Sequence, residues 1–169
     1  MFDKFGEFDS VEEMNKKADK LKADGDTEKI CELAQENGID LEDAEDFISG
    51  FQEEFASPLM AATGKIKVES NDLELAGIFE DWSNAVLRLC AENIQVARMV
   101  RKKNRSLAGC MAELIAFSFE NKIQVSDKIV KVTKIEHNGK KEPLRGPLYL
   151  GVPNNVEVKR IVEKYYKEG

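Results

Sequence analysis

The stretch Asp72-Leu-Glu-Leu-Ala-Gly-Ile-Phe-Glu-Asp-Trp-Ser-Asn-Ala-Val-Leu-Arg-Leu89, with Ser106-Leu-Ala-Gly-Cys-Met-Ala-Glu-Leu-Ile-Ala-Phe-Ser-Phe119 behind it, decides the fold class. In the first, Leu75, Ile78, Phe79, Trp82, Ala85, Val86 and Leu89 recur at helical spacing. In the second, Ser106 can cap a helix whose Leu107, Cys110, Met111, Leu114, Ile115 and Phe119 predict a central position. A helix from about Glu92 to Lys103 lies between them, with Ile94, Ala97 and Val100 inward. A last helix, Asn155 to about Lys167, turns Val158, Ile161, Val162 and Tyr165 inward. These sets predict a mainly α fold with a helical core domain over residues 71–169.

Working outward, residues 1–50 read as an acidic three-helix unit packed on that domain. Ser10 and Glu13 form a capping box ahead of the stripe Val11, Met14, Ala18 and Leu21. Gly25 stops that helix, and Asp26 is placed to cap a second with Ile30, Leu33 and Ala34 inside. Gly38 ends the second, and Asp40 is placed to cap a third with Leu41, Ala44, Phe47 and Ile48 inside, ending near Gly50. Periodicity weakens after Pro58, so residues 51–70 read as a helix end and a connector. Ile129-Val-Lys-Val-Thr-Lys-Ile135 fits strand or helix, and the following Asn138-Gly139 favours a short β-hairpin.

Composition narrows the function classes. The 169 residues are 42% hydrophobic, enough for one real core. The longest uncharged run, Gly146 to Val156, is too short to span a membrane. The opening MFDKFGEFDS mixes acids with aromatics and lacks the basic and apolar regions of a signal peptide, so a cytoplasmic location is expected. Cys31, Cys90 and Cys110 are odd in number and without a CxxC pair, which predicts neither a disulfide framework nor a zinc site. Charge is strongly divided. Residues 1–80 hold 8 Lys/Arg against 22 Asp/Glu, a net −14, and residues 81–169 hold 17 against 10, a net +7. Such a bipolar chain orients in the field of a charged partner.

Motifs for catalysis are lacking. His137 is the one histidine and lies beside the Asn-Gly turn, outside any nucleophile or base pattern. Thr63-Gly64-Lys65 resembles a phosphate loop only in part, because Leu59 stands where the first glycine belongs. No dinucleotide fingerprint or calcium-loop pattern occurs, so no enzyme, cofactor or metal is expected. Ala34, Gly38, Ile39 and Phe47 fall at helix-turn-helix positions, yet the helix that would read DNA carries Glu42, Asp43, Glu45 and Asp46. Lys and Arg bind DNA by displacing its counterions, and four carboxylates reverse that sign. With Glu53 and Glu54 they make an acidic ridge suited to a basic protein surface; a solvated helix face gives the same pattern. Arg98, Arg101, Lys102, Lys103 and Arg105 form the opposite patch, suited to phosphate, to a helix C-terminus or to the chain's own acids.

The block Lys103-Asn-Arg-Ser-Leu-Ala-Gly-Cys-Met-Ala-Glu-Leu-Ile115, then Val125-Ser-Asp127 and Val162-Glu-Lys-Tyr-Tyr166, resembles the C-terminal part of PcfK-like proteins of Gram-positive conjugative and phage elements. The opening residues 2–10 resemble the start of small proteins from such elements. The chain departs from the family pattern at Met111 and Ala112, where an aromatic usually follows Gly-Cys, and in lacking a tryptophan in its last helix. The resemblance implies an anti-CRISPR protein that binds a type II CRISPR effector nuclease, alone or with its guide RNA. Under it, Glu42, Asp43, Glu45, Asp46, Glu53 and Glu54 meet the nuclease's basic nucleic-acid channel. The alternative class is an accessory or regulatory protein of a conjugative element or phage, contacting DNA or transfer proteins through the cluster around Arg101.

Overall fold

A computed structural model describes residues 1–168, and among these the protein is mainly helical, 62% helix with two small two-stranded sheets. The helices are α1 (Val11–Ala23), α2 (Thr27–Glu36), α3 (Leu41–Ser49), α4 (Pro58–Asp72), α5 (Ile78–Glu92), α6 (Ile94–Arg101), α7 (Leu107–Glu120), α8 (Asp127–Val132) and α9 (Asn155–Glu168). The strands are β1 (Ile123–Gln124), β2 (Lys134–His137), β3 (Lys140–Pro143) and β4 (Tyr149–Leu150), with β1 antiparallel to β4 and β2 antiparallel to β3. Among the described residues no helix is long and apolar enough to cross a membrane.

Local chemistry accounts for most of the boundaries. The Ser10 hydroxyl accepts from the Glu13 amide at 3.1 Å, and the Glu13 carboxylate accepts in turn from the Asp9 amide. Ser106 caps α7 in the same way through the Gly109 amide. Gly50 closes α3 with φ 83°, the left-handed geometry that glycine adopts without strain. Asp26 and Asp40 do not cap as expected. Lysines take their carboxylates instead, Lys29 at 2.6 Å and Lys67 at 3.3 Å.

Two apolar cores result. Met14, Ala18, Ile30, Leu33, Phe47 and Phe55 fill the N-terminal one. Trp82, Val86, Val100, Leu114, Val162 and Tyr166 lie in the other. The expected connector is instead α4, which joins the two cores. Ala61 belongs to the first core, and Ala62 and Ile66 belong to the second. A helix buried on opposite sides has no single apolar stripe, so its period was invisible. Ser57 and Pro58 start it, the hydroxyl accepting from the Met60 amide at 3.2 Å.

Other expectations shift by a turn. The helix expected from Asp72 begins at Ile78, because α4 extends through Asp72 and a turn with Glu74 at φ 49° separates the two. In α9 the fully buried tyrosine is Tyr166, while Tyr165 is only partly covered. The most apolar helix, α7, lies at an edge. Leu107, Cys110, Met111 and Leu114 are buried, whereas Ile115 and Phe119 face out. Residues 127–143 are helix first and hairpin second, turning at Asn138-Gly139, both at positive φ.

The thiols are free, and burial pushes those of Cys90 and Cys110 up to about 12. Native protein treated with a thiol-specific disulfide reagent at neutral pH is expected to release signal from half-buried Cys31 first. Cys90 and Cys110 should react at least about tenfold more slowly until urea is added, since the thiolate is the nucleophile. Fast reaction of all three would contradict this packing.

Candidate protein-binding surface

Helix α3 turns Ala44 and Phe47 into the N-terminal core, and at 100° per residue that sends Glu42, Glu45 and Asp46 outward. Those three are exposed, and Asp43 sits half-buried at the edge of the same face. Past Gly50 the chain folds back on the helix end. The Gln52 amide donates to the Asp46 carbonyl at 3.1 Å, and the Gln52 side chain donates to the Glu54 carbonyl at 2.6 Å. Phe55 then anchors the segment edge-on against Phe47, with ring centroids 5.7 Å apart. Glu53 and Glu54 are thereby held exposed next to the end of α3. Among the described residues none of the six carboxylates is in an ion pair.

Phe51 adds a residue that sequence reasoning missed. It is 88% exposed and lies in the chain between Asp46 and Glu53. The sequence signal was an aromatic placed directly after a helix-ending glycine, outside the apolar stripe.

The basic cluster is different. Arg101 does not lie at the surface but inside, at 1% exposure, because it follows Ala97 by one turn on the inner face of α6. Its Nη2 donates to Asn37 Oδ1 at 2.9 Å, and its guanidinium carbon lies 5.7 and 5.8 Å from the rings of Phe2 and Phe8. Among the described residues its Nε and Nη1 have no hydrogen-bond partner. Arg98 is at the surface and paired with Glu12. Lys102 and Lys103 are exposed and Arg105 is half-buried. The five cations therefore do not form one phosphate-facing patch.

Beside Arg101 the protein buries a second cation. Lys65 on α4, fully buried, donates to the Lys102 carbonyl at 2.7 Å and pairs with Glu7 at 2.6 Å and with Glu69 at 3.9 Å. Glu69 also accepts from the Leu107 amide at 2.8 Å. Burial raises the Glu69 carboxyl, while Lys65 and the Leu107 amide pull it back down. Burial also disfavours the charged Arg101, against the pull of Glu7 and Glu69. This seam ties the N-terminal segment and α2 to α4, α6 and α7. Thr63-Gly64-Lys65 is thus part of a buried joint, with its lysine committed internally.

The exposed His137 lies across the hairpin from Lys140. Among the described residues no group of three or more His, Cys, Asp or Glu side chains gathers to hold a metal ion. Comparison of the chain with protein-family models, with curated proteins and with solved structures finds no match.

Proposed function

We propose that the protein works by binding another protein, with the outer face of α3, Phe51 and Glu53-Glu54 set against a basic surface that otherwise holds nucleic acid. The observation that carries this reading is where the carboxylates sit. Glu45 and Asp46 lie in the last turns of α3, which has no basic residue in its final turn. Anions there oppose the partial negative charge of the helix C-terminus and destabilise it by a few tenths of a kcal/mol or about 1 each. Lys22 eases this, donating to the Phe47 carbonyl from above the Phe47 ring. Unpaired acids at an unfavourable helix end, with an exposed aromatic among them, suit recognition better than folding. Carboxylates steer the encounter, and a buried aromatic supplies the anchor.

The partner that the family resemblance implies is a type II RNA-guided nuclease, whose guide–target duplex lies in a positively charged channel. Occupying that channel or the flanking-duplex site blocks DNA loading and makes the protein an anti-CRISPR inhibitor. The accessory reading loses its central cation with Arg101 buried.

The test is a cleavage assay in which this protein is added to nuclease and guide either before or after target DNA. Inhibition is expected only when it is added first. The variant Glu42→Lys, Glu45→Lys, Asp46→Lys, Glu54→Lys should lose at least about 100-fold in inhibition, because like charges then face each other. Its helicity should hold, since the lysines replacing Glu45 and Asp46 favour the helix C-terminus while losing Glu42 from the first turn costs a similar amount. Full inhibition by the folded variant would remove the ridge from the contact. No inhibition of any type II nuclease by the unaltered chain would remove the partner.

A further inference from the structure

The positive charge of the C-terminal half is not spread evenly. Residues 122–145 hold seven Lys/Arg against three Asp/Glu, a net +4. They belong to an arm between α7 and α9. The β1–β4 pairing, Ile123 opposite Leu150, closes its neck. Gly151 seats the neck on α7, where a Cβ would lie 1.9 Å from the Ser118 carbonyl oxygen. Beyond the neck, α8 leads into the β2–β3 hairpin, which the Leu144 amide extends by donating to the Thr133 carbonyl at 2.8 Å, and buried Val130 lies beside Leu144 and Gly146. They make little contact with the helical body. Every residue of both hairpin strands is exposed. Lys128, Lys131, Lys134, Lys140, Lys141 and Arg145 are all exposed, and among the described residues none is in an ion pair.

Shape adds a second constraint. Asn138 and Gly139, at φ 50° and 74°, close the hairpin in two residues, so the projecting ribbon is only two strands wide to its tip. The major groove of B-form DNA, about 12 Å wide, admits such a ribbon, whereas the deep, narrow major groove of A-form RNA does not. We propose that residues 122–145 are a DNA-binding arm, with the hairpin in the major groove and its phosphate contacts made by Lys134 and Lys141, which flank Glu136 on one face, by Lys140 on the other face beside the tip, and by Arg145 at the base. It uses none of the residues assigned to protein binding above and is tested without any nuclease, so the two proposals stand or fall separately.

The experiment is fluorescence anisotropy of a short labelled B-form duplex titrated with the full chain across a series of NaCl concentrations. Four phosphate contacts predict that log K falls with log salt at a slope of about −3.6. The variant K134E/K140E/K141E, with all three changes at exposed positions, should keep its circular dichroism spectrum. It should lose about 100-fold in affinity at low salt, with a slope flatter by about 3. The variant K102E/K103E/R105E should bind as the unaltered chain does. Absence of binding at low salt, or equal loss in the two variants, would overturn the arm as the site. Equally tight binding of an RNA duplex would overturn the groove fit. Retention on phosphatidylserine vesicles without DNA binding would overturn the choice of DNA.

Discussion

Replacing Gly64 with alanine is expected to destabilise the protein by about 3 kcal/mol, a fall in melting temperature of roughly 10 °C for a chain this size. Alanine is the better helix former by nearly 1 kcal/mol, so propensity alone predicts the opposite sign. The geometry overrides it. A Cβ on Gly64 would lie 2.2 Å from the Asn37 carbonyl oxygen and 3.1 Å from the Gly38 carbonyl. These are backbone atoms and cannot rotate aside, so α4 must move away from the α2–α3 corner. The requirement is mutual, because Gly38 has φ +67° and its own Cβ would come 2.5 Å from the Gly64 oxygen. Movement there also pulls Asn37 from Arg101. Thr63→Ala, one residue away and exposed, is the control and should leave the melting temperature unchanged or raise it slightly. A Gly64→Ala protein as stable as its parent would show that the two backbones do not meet.

Arg101→Ala is expected to lower stability in urea by roughly 1.5–3 kcal/mol, the range for losing a buried hydrogen bond to a charged group, here the one to Asn37. Asn37 would lose its Nη2 donor, Glu7 and Glu69 a nearby positive charge, and the Phe2 and Phe8 rings the guanidinium 5.7 and 5.8 Å from their centres. Arg101→Met keeps part of the packing but none of the charge, and should fall between alanine and the parent. Arg98→Ala is the contrast. Its ion pair with Glu12 has both side chains about half exposed, and such pairs contribute at most about 1 kcal/mol. High salt should weaken the Arg98 effect and leave the Arg101 effect nearly intact, since buried charges are screened far less. An Arg101→Ala loss below about 1 kcal/mol would mean that the buried seam contributes little to folding. Because the substitution loosens the fold, a loss of activity in it is not evidence of a phosphate contact.

Much of the fold was legible because it is built from local rules. The Ser10 and Ser106 caps, the stops at Gly25, Gly38 and Gly50, and the stripes of α1 and α2, with those of α3 and α5 apart from the exposed Leu41 and Ile78, each depend on residues within two turns of one another. The outward face of α3 was legible for the same reason, since Ala44 and Phe47 could only point inward. Legibility failed where two parts of the chain shared one element. Helix α4 has apolar residues on several sides because it serves two cores, and Lys65 and Glu69 broke its pattern further. The cluster from Arg98 to Arg105 read as one patch because linear spacing carries no record of Glu7, Asn37 and Glu69 arriving from elsewhere.

Period and caps act over a few residues, so they were enough to specify a mainly helical chain and the side of α3 on which its acids stand, as composition was for the sign of charge in each half. Tertiary structure decided which cations are solvated and which are buried. A charge enters the interior only where distant partners meet it, and those partners are chosen by how α2, α4 and α6 pack.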